Sequence, residues 1–165
     1  MPSGCITTNR TEKTEKPMDI ARNKRARFEY DILENFEAGI VLKGTEVKSL
    51  REGRVNINEA FAKIQNEEVF IQQMSISPYS RGNIHNHVPD RPRKLLMHKR
   101  EIKRLTGKIK EKGLTLVPLR LYFKNGIAKI ELGLAKGKTL YDKRETLKKR
   151  TDQREIQRTI KEYNR

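Results

Sequence analysis

Three groups of residues have types and spacings that could do chemistry. Gly133-Leu-Ala-Lys-Gly-Lys-Thr139 resembles a P-loop, whose glycine-rich backbone cradles a nucleotide's phosphates while a lysine and a hydroxyl complete the site. That motif needs four residues between its glycines; here there are three, because position 132 is Leu. The turn that wraps a β-phosphate is lost, so nucleotide hydrolysis is not expected. His85-Asn-His87 resembles a fragment of a metal or nuclease site. Zinc takes three or four ligands, yet His98 lies among Lys and Arg, Asp90 could add one more, and nothing arranges a fourth. Two histidines on a surface loop are the expected reading. Cys5 has no histidine placed to activate it, and no Ser/His/Asp set is present. The acidic residues are scattered, and Glu37 and Glu46 flank an apolar run where a structural role is the default. A binding protein without catalytic residue, metal or cofactor is expected.

The elements that would position a binding surface are short strands and few helices. Residues 1–20 are rich in Thr, Glu and Lys without periodicity and read as a disordered leader. Residues 27–34 and 38–42 suit strands, and residues 44–53 a short helix, with Thr45 as N-cap and Gly53 closing it. Residues 58–65 and 69–74 form a second strand pair around a turn at Asn66-Glu67-Glu68. Residues 76–93, with three prolines, read as a loop. Leu95, Ile102, Leu105 and Ile109 make one stripe of a helix over 95–111, which Gly113 can end. Leu114–Phe123 and Ile127–Ala135 bracket Lys124-Asn125-Gly126, a strong hairpin signal. Alternation puts Ala128, Ile130, Leu132 and Leu134 inward and Lys129 outward, and Pro118 implies an edge or a bulge. The fold class is mainly β: a small oligonucleotide-binding-type barrel of about six strands, with two or three helices, spanning residues 21–136. Residues 137–165 form a basic tail. With no apolar residue between Leu147 and Ile156, it should be largely unfolded alone and helical against a partner.

The charge says what kind of partner that is. The 165 residues carry 37 Lys and Arg against 21 Asp and Glu, a net +16. That exceeds the roughly 2–8 charges that keep a small domain soluble and favours a polyanion. Residues 91–112 hold a net +8 and residues 138–165 a net +5, so two separate basic surfaces are expected. One cysteine fits a reducing cytoplasm, and no apolar run approaches a membrane span.

Several runs are more specific than charge. Asn23-Lys-Arg-Ala-Arg-Phe-Glu-Tyr30, Phe36-Glu-Ala-Gly39, Gly44-Thr-Glu-Val-Lys-Ser-Leu-Arg51, Arg93-Lys-Leu-Leu96, Leu134-Ala-Lys-Gly-Lys138 and Tyr141-Asp-Lys-Arg144 occur in that order. Together, over residues 20–165, they closely resemble the SsrA-binding protein (small protein B) family, the bacterial partner of transfer-messenger RNA. The resemblance implies a barrel that grips the tRNA-like domain of transfer-messenger RNA. It also implies a role in trans-translation, which rescues ribosomes stalled on broken messages. A general oligonucleotide-binding-type single-strand or ribosome-associated binder is the alternative, although such proteins usually show stacking aromatics.

Carried over by position, the resemblance implies RNA contacts at Glu37, Leu96 and Lys129, with Asn23, Lys24, Arg25 and Arg27 as further contributors. A lysine meets phosphate, and a carboxylate can accept from base edges or 2′-hydroxyls. Periodicity alone would send Leu96 to the core; only the resemblance turns it outward to pack on a base. For the tail, the resemblance implies a probe in the empty mRNA path of the small subunit. Gly137, Lys138, Asp142, Lys143 and Arg144 would anchor it near the decoding centre, with Ile156, Ile160 and Tyr163 as its apolar stripe. A cytoplasmic monomer with transfer-messenger RNA and the ribosome as partners is expected.

Overall fold

The alternating segments fold into a ring of strands. The computed structural model describes residues 18–163 apart from 81 and 83–85. Its strands are β1 (Met18–Arg22), β2 (Tyr30–Ile40), β3 (Val55–Asn56), β4 (Phe61–Gln65), β5 (Glu68–Gln72), β6 (Ser75–Ile76), β7 (Arg93–Leu96), β8 (Thr115–Lys124) and β9 (Ile127–Gly137). Four helices accompany them: α1 (Ala26–Glu29), α2 (Gly44–Arg51), α3 (Lys99–Lys112) and α4 (Leu140–Tyr163). The ring runs β8-β4-β5-β7-β2-β9 and returns to β8, with β1 added on β8. The mainly-β, oligonucleotide-binding-type expectation of about six strands is met.

Turn chemistry sets the registers. Asn125 and Gly126 both have positive φ, 51° and 75°, the twist that lets a two-residue turn join right-twisted strands. Asn66 and Glu67, at 49° and 60°, make a similar turn between β4 and β5. Inside the ring, Leu116, Leu121, Ile130, Leu132, Val69, Ile71 and Leu95 are buried. Leu50 of α2 and Ile102 and Leu105 of α3 join the same core.

Two bulges decide which side chains face outward. Register shifts between Ile32 and Glu34 in β2, and between Pro118 and Arg120 in β8. Each inserts a residue and so reverses the strand's inside–outside phase. Before the β8 bulge, Leu116 faces the main core and Val117 packs outside with Ala26 and Ala135. After it, Leu121 faces inward and Arg120 pairs outside with Glu131. Of the edge or bulge that Pro118 implies, the bulge is present, and it turns Tyr122 away from the main core.

A buried ion cluster fastens α2 to the start of β7 and to Arg91 just before it. Glu46 and Arg93 are both 0% exposed, and the Arg93 guanidinium donates to Glu46 Oε1 at 2.9 Å. Arg91 donates to the same carboxylate at 2.6 and 2.8 Å, and the Lys43 amide adds a bond at 2.6 Å. The structural role expected of Glu46 is therefore its role.

Several expectations need correction. Residues 27–29 belong to the short helix α1 and residues 30–40 to one long strand, with Val41 and Leu42 beyond its end, because cross-strand pairing to β9 carries β2 through Asn35 to Gly39. Met18–Ile20, assigned to the leader, are in β1, held by pairing to β8 that local sequence does not show; residues 1–17, with Cys5, lie outside the described residues. Leu95 is a strand residue, and the helix starts at Lys99, because β7 completes the ring between β5 and β2. His87 is buried, bonded through its ring nitrogens to Thr45 Oγ1 and the Ile76 carbonyl, so it is no surface residue; His85 lies outside the described residues. Thr45 lies inside α2, one residue past its start. In the tail, residues 140–163 form helix α4. Thr139 and Asp142 bond each other's backbone N–H across its first turn, satisfying groups a helix start leaves open.

Candidate nucleic-acid interface

Gly39 is where the outward surface comes together. On one side β2 pairs it with Leu96 of β7; on the other, with Lys129 of β9. Side chains two residues apart on a strand share a face, so Glu37 lies on the same surface as its neighbours at Gly39. A Cβ at Gly39 would already touch Leu96 Cβ at 3.4 Å. Glu37, Gly39, Leu96, Met97, His98, Glu101 and Lys129 line a shallow groove of about 350 Å³ there. Leu96 is 55% exposed while its neighbour Leu95 is buried, as alternation along a strand requires.

Glu37 is the hub of this surface. Lys129 Nζ donates to its Oε1, the Tyr122 hydroxyl donates to its Oε2, and Lys124 Nζ lies 3.7 Å from Oε2. The Lys129 bond, then the Tyr122 bond, hold the carboxyl below the usual carboxylate range, against a smaller opposing effect of burial. Burial, then the carboxylate beside it, push the Tyr122 phenol up, so it stays a donor. Each carboxylate oxygen has a further lone pair, and both lysines are partly exposed. The surface can therefore offer two cations, an acceptor and an apolar side chain to one ligand.

A second ladder continues the face toward α1. Arg120 donates to Glu131 and lies 3.5 Å from Asp19; Asn35 donates to Glu131 at 2.9 Å; and the Arg120 guanidinium stacks 4.6 Å from the Tyr122 ring. Gly133, in the segment that resembled a P-loop, lies within β9 against Ile32 and Leu119. No phosphate loop forms there. Among the described residues, no cluster of three metal-ligating side chains occurs.

The chain matches the family model described as SmpB protein over residues 20–162. It belongs to the SmpB family. An SsrA-binding protein of Carboxydothermus hydrogenoformans is 63% identical over 142 residues, covering 86% of this chain and 95% of that protein. One from Geobacter sulfurreducens is 60% identical over 146 residues, covering 88% of this chain and 95% of that protein. A solved chain from "tmRNA-SmpB: a journey to the center of the bacterial ribosome" is 50% identical with a TM-score of 0.62, covering 77% of this chain and 93% of that one.

The remaining residues expected to bind in this SmpB family member fall in two places. Lys24, Arg25 and Arg27 are exposed at the start of α1. Asn23 is buried beneath them: its Oδ1 accepts from the amides of Arg25 and Ala26, and its amide donates to the Ile57 carbonyl at 3.0 Å. Its side chain shapes the turn that presents them. Lys138 joins this end through its amide, 2.9 Å from the Glu29 carbonyl, and its Nζ, 3.3 Å from Asp31. Gly137 is exposed beside it. Thr139 holds the Asp142 carboxyl below its ordinary range. Arg144, Ile156, Ile160 and Tyr163 are exposed on α4; the side chain of Lys143 lies outside the described residues.

Sequence reasoning missed Tyr122 and Lys124. The signal was available, because a two-residue turn at Asn125-Gly126 sets Lys124 opposite Ile127 and Tyr122 opposite Lys129.

Proposed function

We propose that this chain binds the tRNA-like domain of transfer-messenger RNA on the surface formed by Glu37, Leu96 and Lys129. It binds transfer-messenger RNA and acts on the ribosome in trans-translation, as an RNA-binding protein rather than an enzyme. The observation that carries the site reading is the convergence of those three residues, from three neighbouring strands, around Gly39. Lys129 and Lys124 meet phosphate, Leu96 packs on a base or ribose, and Glu37 orders the lysines while accepting from a 2′-hydroxyl.

Lys24, Arg25, Arg27 and Lys138 form a separate cationic end, continuous with the tail. The tail enters the empty mRNA path, with Lys138, Asp142, Lys143 and Arg144 as its anchor and Ile156 and Ile160 on its apolar stripe. Cytoplasmic action as a monomer fits this role. No helix among the described residues is long and apolar enough to cross a membrane.

A gel shift with transfer-messenger RNA, paired with a ribosome-rescue assay, tests this division. The full chain and a version ending at Gly137 should bind RNA equally, and only the full chain should rescue. Loss of RNA binding on truncation would reverse the assignment of body and tail.

A further inference from the structure

The ring opens between β4 and β8, beside α3, where β4 stands three strands from β2 in strand order. β4 pairs with β5 along its whole length but meets β8 at one position, Ala62 opposite Leu116. Beyond it, Lys63 and Ile64 run along a cleft of about 830 Å³ bounded by α3 from Ile102 to Lys110. Its floor is apolar: Ile102, Leu114 and Leu116 are buried, and Ile64 and Ile109 half-buried. Lys63, Lys103 and Lys110 stand exposed on its rim against the carboxylate of Glu67. None of these three lysines is in an ion pair among the described residues.

Three properties coincide here, and one kind of ligand answers all of them. An apolar floor takes side chains. A strand edge that has parted from its neighbour takes a chain with N–H and C=O groups of its own. A lysine rim takes carboxylates. We propose that this cleft binds an extended peptide segment of a partner protein, added alongside β4, with apolar residues alternating with Asp or Glu. Its apolar side chains enter the cleft toward Ile64 and Ile109. The intervening carboxylates lie outward beside Lys63, where opposite charges on adjacent strands attract. A fatty-acid carboxylate would match the floor and the rim but leave the strand edge unused.

The test uses the full chain and a labelled hexapeptide, Glu-Val-Glu-Ile-Glu-Val, followed by fluorescence anisotropy. Saturable binding with a dissociation constant of about 10–100 μM is expected for so small an interface. Gly107 lines the cleft, and a Cβ there would meet nothing within 4 Å. Gly107→Leu should therefore fold, since a helix interior favours Leu over Gly, while filling the cleft. It should weaken the peptide at least about tenfold and leave transfer-messenger RNA affinity within about twofold. Lys63→Glu should weaken the acidic peptide and strengthen Lys-Val-Lys-Ile-Lys-Val. Equal binding of both peptides, or peptide binding indifferent to Gly107→Leu, overturns the proposal. Laurate binding without hexapeptide binding would overturn it in favour of an amphiphile site. A large loss of RNA affinity in Gly107→Leu would overturn it by making the cleft part of the RNA surface.

Discussion

The Tyr122 hydroxyl on β8 donates a hydrogen bond to the Glu37 carboxylate on β2, across the intervening strand β9. Lys129, on that middle strand, donates to the other carboxylate oxygen. Three strands thus fix one acidic group, and it in turn fixes a cation that would otherwise sample many rotamers. Ordering a lysine before a ligand arrives lowers the entropy lost on binding.

Tyr122→Phe isolates that contribution. The ring stays, so packing and stacking with Arg120 persist, while Glu37 loses one donor. A stability loss of about 1 kcal/mol is expected, because the pair is partly exposed and solvent screens it. Transfer-messenger RNA affinity should fall roughly threefold in a gel shift. Unchanged affinity would show that Lys129 needs no such support.

The pH dependence follows from Glu37. Its carboxyl is held below the ordinary value of 4.5, chiefly by the Lys129 bond. A depressed acid contributes fully above its unfolded value and loses that contribution as pH falls through the folded one. RNA affinity should be flat from neutral pH down to about pH 5, with the Glu37 contribution lost only in more acid solution. Glu37→Gln should lack this acid-side change. A wild-type transition near pH 6 to 7 would point to a different group.

Lys129→Ala and Leu96→Ala should weaken RNA binding in distinguishable ways. Losing the lysine should reduce affinity about three- to tenfold and lower the slope of log affinity against log salt by about one. Losing the exposed leucine removes an apolar contact, so affinity should fall up to about tenfold with the slope unchanged. Folding stability should change by less than about 0.5 kcal/mol for Leu96→Ala, since the side chain faces out. Titrations at several salt concentrations separate the two.

Glu46→Ala should act on stability rather than on RNA directly. Burial opposes ionisation of Glu46; the Arg91 bond, the Lys43 amide and Arg93 outweigh it and hold the carboxyl below its ordinary value. Removing it leaves the fully buried Arg93 uncompensated, at a cost of about 3–5 kcal/mol. Thermal unfolding should shift down by about 10 °C or more. Glu68→Gln, which breaks the partly exposed pair with Lys94, should cost less than about 1 kcal/mol.

The sequence by itself determined the local devices. Asn125-Gly126 placed a hairpin, Gly53 and Gly113 ended helices at positive φ, Pro118 announced an edge or a bulge, and alternation turned Lys129 outward. Each depends on backbone preferences within a few residues, so each could be read along the chain. The charge split identified the class of partner, and the ordered runs identified the family.

Tertiary structure decided what depends on neighbours distant in the chain. Periodicity drew Leu95 into a helix, but strands β5 and β2 claim it for β7, because a row of backbone groups needs partners on both sides. The same pairing exposes Leu96. Asn23 is polar and sits in a basic run, yet buried carbonyl and amide groups of its own turn and of Ile57 take up its side chain. Tyr122 reaches Glu37 only because the β8 bulge reverses that strand's phase and β9 sets both residues at the right height. Spacing can show which side of a strand a residue occupies; only the pairing of the strands shows which residues it meets there.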